Sequence, residues 1–190
     1  MENIPYPTHP MFKAFFKTPL LLWRLGLGRF VGKIFLVLTT RGRRTGRPRH
    51  TMVEFHTHRG RKFVVAAWPQ SDWYRNLQSD PVVTIQTAAG TETVRARRLV
   101  EAEELGDVFD FLDKNPLLRR FWQFVGLDLS TENVLKRKED YHILTFDPTG
   151  ETGPPPLDVD LPWVLPVVLL SAIAGGIGGF LLGRRKTRKD

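Results

Sequence analysis

The sequence predicts a mainly β, α+β protein: a small antiparallel barrel of about six strands with a few short helices, followed by a C-terminal transmembrane helix. Three observations carry that reading. Short apolar or alternating runs recur between turn signals, as hairpin-connected strands do. The apolar period changes to helical spacing only in isolated stretches. Residues 161–183 then run for 23 positions without a charge, enough at about 1.5 Å per residue to cross a bilayer core of roughly 30 Å.

Residues 1–33 form a basic, amphipathic N-terminal segment. Three prolines make positions 1–10 an irregular lead-in. Positions 11–31 mix Phe, Leu and Trp with spaced cations, and Pro19 is expected to break or restart any helix there. Charges interrupt the apolar stretch and no small-residue cleavage site follows, so it does not read as a secretory signal. Such a segment either lies in a membrane interface or packs on its own domain.

The barrel is assigned to residues 34–148. Its first strand is the β-branched run 34–38. Residues 51–57 and 61–67 are strands joined by a turn at His58, Arg59 and Gly60. Ser71 and Asp72 cap a short helix through Gln78, which Asp80 and Pro81 stop. Two further strands, 82–87 and 91–99, flank a hairpin at Ala88, Ala89 and Gly90. From Glu101 the spacing of Leu105, Val108, Phe109 and Leu112 is helical, with acids in the first turn as the helix dipole favours. Pro116 opens a helix carrying Leu117, Phe121 and Phe124; Ser130 caps another up to Glu139; 141–146 is the closing strand.

Residues 149–160, with three prolines, two glycines and three acids, read as a linker. The transmembrane span 161–183 follows, then the basic tail 184–190. Gly175, Gly179 and Gly183 make two successive G-x-x-x-G steps, which allow a homodimer through close helix approach. Five Lys/Arg after the span place the C-terminus inside by the positive-inside rule. The lack of an export signal before the barrel argues instead for a cytoplasmic barrel held at the cell membrane by a single-pass C-terminal anchor, and that is the orientation expected.

Charge narrows the partners. The net charge is +8, and ten Lys/Arg but no acid fall between Asn3 and Val53. This favours membrane lipid, nucleic acid or a phosphorylated small molecule. Nucleic acid is not expected, because no aromatic platform interleaves with the cations and no helix-turn-helix or zinc pattern occurs. Cysteine is absent, which removes disulfides and thiolate metal sites. His56 and His58 alternate along one strand without further ligands and read as surface histidines, so no metal site is expected.

The densest cationic feature is the loop after the first strand, with arginines at 41, 43, 44, 47 and 49 and glycines at 42 and 46. Arginine presents a planar fork of donors to phosphate or carboxylate, and glycine lets backbone N–H groups approach a ligand. The loop reads as an anion cradle.

The string L-x-T-T-x-G-R-R-T-G-R-P-R, followed by V-V-A-A-W and D-W-Y-R-N-L-Q-S-D-P, resembles the deazaflavin-dependent nitroreductase family, whose members are split β-barrels using coenzyme F420. The resemblance covers residues 24–146. It implies a hydride transfer from F420H2 to a quinone or a nitro or enone acceptor. F420 has a phosphodiester and a polyglutamate arm, and Arg43, Arg44 and Arg49, with Thr45 and Gly46 between them, match the family's basic loop. Met52, Val53, Ala66, Ala67 and Trp68 match the positions expected along the deazaflavin ring, and Trp73 is the helix tryptophan shared with the family, either a cofactor-binding residue or core packing. Tyr141 is the candidate proton donor, with Tyr74 and His142 as further candidates. A split barrel also accommodates FMN, FAD or haem, FMN being the alternative cofactor, and a non-enzymatic membrane module binding anionic lipid is the rival outside enzymology.

Overall fold

The computed structural model describes residues 17–66, 68–114, 116, 120 and 142–172. The helices expected around Phe121 and after Ser130 lie outside these residues. So do Ala67, Tyr141 and the tail glycines Gly175, Gly179 and Gly183.

Residues 17–22 are helical through Pro19, so the expected break comes later. It falls at a π-helical turn, Trp23–Leu27, in which Gly26 adopts φ 85°, followed by α1, Gly28–Val31. Gly32 is forced by crowding: a Cβ there would lie 2.5 Å from the Ala88 nitrogen and 2.8 Å from the Trp23 ring. The buried Trp23 indole thereby seats the N-terminal segment against the hairpin at Ala88.

Seven strands follow: β1 Phe35–Arg41, β2 Pro48–Glu54, β3 His56–His58, β4 Arg61–Val65, β5 Val82–Thr87, β6 Gly90–Arg98 and β7 Ile143–Pro148. Two helices interrupt them, α2 Asp72–Ser79 and α3 Ala102–Asp113. All strand pairs are antiparallel, in the order β2-β1-β5-β6-β7-β4-β3. The seventh strand arises because the expected run 51–57 changes partner after Phe55: the Phe55 N–H still donates in register to Ile34 O (3.1 Å), whereas His56 pairs with Phe63 of β4. The edge strands β2 and β3 are thus separated by one residue. A chain step of that size covers at most about 7 Å. The sheet must therefore curl until its first and last strands meet at Phe55, which makes a barrel closed there by the chain itself.

Leu36, Leu38, Val64, Val83, Ile85, Val94 and Leu144 fill the interior, with Leu77 of α2 packed on them. Leu105, Val108 and Phe109 bury one face of α3. Each such side chain contributes about 1.5 to 3 kcal/mol. The ion pairs that also tie α3 to the sheet, Arg61 to Glu104 and Arg97 to Glu104, are partly exposed, and such pairs contribute about 0 to 1 kcal/mol. Apolar burial, then, is what docks α3.

The stretch 149–160 departs from the linker its composition suggests: it lies as a strap across the outer face of the sheet. Thr84 Oγ1 donates to Pro154 O (2.5 Å), Gln86 Nε2 donates to Leu157 O (3.1 Å), and Leu157 N donates to Gln86 Oε1 (2.7 Å). Proline lacks a ladder donor but keeps its carbonyl, so side chains of β5 replace the missing strand partner. The strap explains why β1 and β5 are buried on both faces.

Candidate anion-binding loop and its surroundings

The β1–β2 register pairs Thr40 with Arg49 and Arg41 with Pro48, leaving Gly42 to Arg47 as the connecting loop. Its backbone is self-bonded: Gly42 N donates to Arg47 O (2.9 Å), and Thr45 N and Gly46 N donate to Gly42 O (3.1 and 2.7 Å). Gly46 takes φ 66°, in the left-handed region open to glycine. Thr45 Oγ1 accepts from Arg47 N (3.4 Å).

The arginines divide by partner. Arg41 bonds Asp80 Oδ2 (2.9 Å) and Thr152 O (3.3 Å), which ties the loop base to the end of α2 and to the strap. Arg43 Nη2 reaches Asp72 Oδ1 (2.9 Å), while Arg43 Nη1 and N both donate to Asn76 Oδ1 (2.9 and 3.2 Å). Asn76 Nδ2 in turn donates to Thr40 Oγ1 (3.2 Å). The Arg43 guanidinium thus locks the loop to α2. Arg44, Arg47 and Arg49 are exposed and, among the described residues, form no ion pair. Three cationic forks therefore face solvent from the loop that Arg43 ties to the first turn of α2.

That N-terminus has an unused donor. Ser71 occupies the cap position in extended conformation, but its side chain makes no capping bond. The residue is 5% exposed, and its buried Oγ has no hydrogen-bond partner among the described residues. A buried hydroxyl left unpaired costs roughly 1 to 3 kcal/mol. Sequence reasoning placed Ser71 as a cap; what it missed is that the hydroxyl stays unspent.

The ring-side expectations separate by face. Val53 stands opposite Leu36 and packs on the barrel core. Met52 stands opposite Val37, on the other face, where Val37 opposes Gln86 and the strap crosses. The side chains of Met52 and Val53 hence point to opposite sides of β2. Ala66 is buried and its N–H donates to His142 O (2.8 Å). Trp68 is half-buried, and Trp73 packs on the core and edge-on against Tyr74 at 5.8 Å. The Tyr74 hydroxyl lies 2.8 Å from His142 Nδ1, which joins two of the candidate proton donors. Burial raises the Tyr74 pKa, so the phenol keeps its proton at neutral pH.

His56 and His58 differ from the surface histidines expected of them. The His56 side chain is 11% exposed and lies 5.4 Å from the Phe63 ring, while His58 lies 5.0 Å from Phe111 of α3. The cause is α3, which covers the hairpin from a distance in sequence that strand alternation cannot reveal. No group of three metal-ligating side chains occurs among the described residues. His56 Nε2 has no hydrogen bond among the described residues and sits 3.6 Å from Glu54 Oε1. Burial lowers the His56 pKa and raises that of Glu54.

These shifts set a pH dependence. Unfolded histidine takes up its proton near pH 6.5, whereas folded His56 resists it until lower pH, so its contribution is complete above about 6.5 and lost on acidification. His50, also lowered by burial, adds to the same slope. Glu54 acts oppositely: its contribution is present below about pH 4.5 and lost as pH rises through its folded value. Thermal melts from about pH 7.5 to 5.5 are expected to show falling stability, with a shallower slope in His56→Phe. Equal slopes in both proteins would contradict the assignment.

A cavity of about 450 Å³ opens between the β3–β4 hairpin and α3. Arg59 and Arg61 line one wall and Glu104 and Asp107 the other. None of the arginine-loop residues lines it.

Residues 25–116, just under half of the chain, match the family model described as F420H(2)-dependent quinone reductase. That stretch is similar to this family. The matched stretch contains the whole arginine loop, Ser71 and α2. Solved structures with a similar arrangement share less than a quarter of its sequence. An F420-H2 dependent reductase, FDR-A, is 20% identical over 60% of this chain and 95% of its own, with a TM-score of 0.38. The haem storage protein HutZ from Vibrio cholerae is 18% identical over 70% and 90%, TM-score 0.42. A haem-binding protein from Mycobacterium smegmatis is 15% identical over 65% and 50%, TM-score 0.43. No curated protein sequence matches significantly.

Proposed function

We propose that the domain is an F420H2-dependent oxidoreductase that passes a hydride from the reduced deazaflavin to a quinone-type acceptor. The observation that carries this reading is the set of exposed Arg44, Arg47 and Arg49, without ion pairs among the described residues, on the loop that Arg43 ties to the uncapped N-terminus of α2, inside the stretch that matches the family model. A phosphodiester and glutamate arm needs several fork-shaped donors and a site for its negative charge, and a helix N-terminus with spare N–H groups supplies the latter. The donor set fits the arm.

When bound, F420H2 supplies the hydride. Everything else falls to the chain. Arg44 and Arg49 hold the arm; Arg43, through Asp72 and Asn76, keeps loop and helix at a fixed spacing. Met52, on β2 beyond the loop, and Trp68 offer half-buried apolar surface for the ring. The Tyr74 and His142 pair holds a proton next to Ala66, available to an acceptor that gains negative charge.

Purified full-length protein is expected to oxidise F420H2 with menadione as acceptor. Binding of F420 without oxidation by menadione or a nitroaromatic would contradict the acceptor assignment while leaving the cofactor in place. A bound flavin or haem in the purified protein would contradict the cofactor itself.

A further inference from the structure

We propose that residues 18–34 and 159–172 together form one docking face that seats the barrel on an anionic lipid bilayer. The two segments are far apart in sequence but joined in the fold. Arg24 makes a two-pronged ion pair with Asp160, Nε to Oδ1 at 2.8 Å and Nη2 to Oδ2 at 2.5 Å, and Leu161 N donates to Arg24 O (3.0 Å). Gly26 lies against Pro162 and Val159: a Cβ there would be 3.7 and 3.8 Å from them. The end of the strap is thereby fixed to the N-terminal helix.

Around this junction large apolar side chains face outward. Phe30 is 62% exposed, Ile34 56% and Trp163 60%, with Leu21 and Val159 about half exposed. Cations stand among them: the Arg29 guanidinium lies 5.8 Å over the Phe30 ring, and Lys33 precedes Ile34. Trp beside apolar residues with interspersed Lys and Arg is the chemistry of the headgroup boundary.

The helix at 164–172 identifies the occupant. Val167, Val168, Leu169 and Leu170 are consecutive and all more than half exposed. Successive residues turn by about 100°, so these four sweep most of the circumference. A second copy of the chain would cover one side of such a helix; lipid covers all sides. The described part is too short to span a membrane, and no helix among the described residues is long and apolar enough to do so. The uncharged sequence continues to Gly183, where R-R-K-T-R-K follows. Those cations suit the anionic headgroups that Arg29 and Lys33 also suit.

The face sets the barrel's orientation. β1 starts at Phe35, beside the docking segment, and ends at Arg41, so the arginine loop stands about 20 Å away along the strand. The cradle for an anionic ligand thus faces away from the anionic surface, while the far end of β2, Met52 to Glu54, faces toward it.

The chain has no cysteine, so single nitroxide labels can be placed at Phe30→Cys, Ile34→Cys and, on the distal loop, Arg47→Cys. The full chain is reconstituted in phosphatidylcholine vesicles containing phosphatidylglycerol. Labels at 30 and 34 are expected to be roughly tenfold less accessible to a water-soluble relaxation agent than the label at 47, and to meet lipid-dissolved oxygen instead. Equal accessibility at all three sites would overturn the proposal. So would spin–spin broadening at 30 and 34, which would put a second copy on this face, or failure of the protein to float with the vesicles. The readout uses no cofactor, so it stands apart from the reaction assigned above.

Discussion

Asn76→Ala is expected to destabilise the domain by about 3 kcal/mol, more than the loss of any exposed ion pair. Asn76 is 4% exposed, and its amide serves three partners at once: the Arg43 guanidinium, the Arg43 backbone N–H and the Thr40 hydroxyl. A charge-assisted bond contributes roughly 1.5 to 3 kcal/mol and a neutral one about 1, and truncation also strands a part-buried N–H. In a chain of this size 1 kcal/mol corresponds to roughly 2 to 4 °C, so the Tm is expected to fall by about 6 to 12 °C. Asn76→Asp keeps an acceptor for Arg43 and is expected to recover much of the loss. A Tm unchanged in Asn76→Ala would mean that the loop is fixed by its own backbone bonds alone. Because the same amide holds the loop against α2, the alanine variant is also expected to weaken anion binding without removing any of the three exposed arginines.

The local parts of this architecture could be read from the chain because their causes are local. The turn at Arg59 and Gly60 takes φ 49° and 77°, and the Asp80-Pro81 stop ends α2 at Ser79, one residue beyond the end expected. The strand 82–87 follows from alternation and β-branching, and the closing strand expected at 141–146 is found two residues later, at 143–148. What could not be read depends on partners far away in sequence. The run 51–57 splits after Phe55 because His56 takes Phe63 of β4 as its partner in place of β1. Residues 149–160 have the composition of a linker and act as a strap, because Thr84 and Gln86 present side-chain partners to it. His56 is buried because α3 crosses the hairpin.

The arginine loop shows the same division within a single site. Five arginines were visible as one cationic cluster, and residue type suited them equally to phosphate. Only the fold shows that Arg41 and Arg43 spend their forks on Asp80, Asp72 and Asn76, leaving Arg44, Arg47 and Arg49 without acidic partners among the described residues. Arg43, matched at first to the anionic ligand, has its guanidinium engaged by α2. Ser71 likewise changes meaning: a cap in the sequence, it is a buried hydroxyl without a partner among the described residues in the fold. The directional argument along β1 and β2 was also out of reach, since it needs the register that puts Arg49 opposite Thr40 and Glu54 opposite Phe35.

The second large effect concerns affinity. Removing Arg44 and Arg49 together deletes two charge-assisted contacts, each worth about 1.5 to 3 kcal/mol when made to a charged group. Even the low end amounts to roughly a hundredfold loss in F420 affinity. Both side chains are exposed and form no ion pair among the described residues, so the fold is expected to be unaffected and the Tm to stay within about 2 °C of the parent. The direct measurement is a fluorescence titration of the parent and of Arg44→Ala/Arg49→Ala, each with intact F420 and with a deazaflavin lacking the phosphodiester and glutamate arm. The account predicts a loss of about a hundredfold for F420 and almost none for the armless ligand. Equal affinity of parent and variant for intact F420 would contradict it.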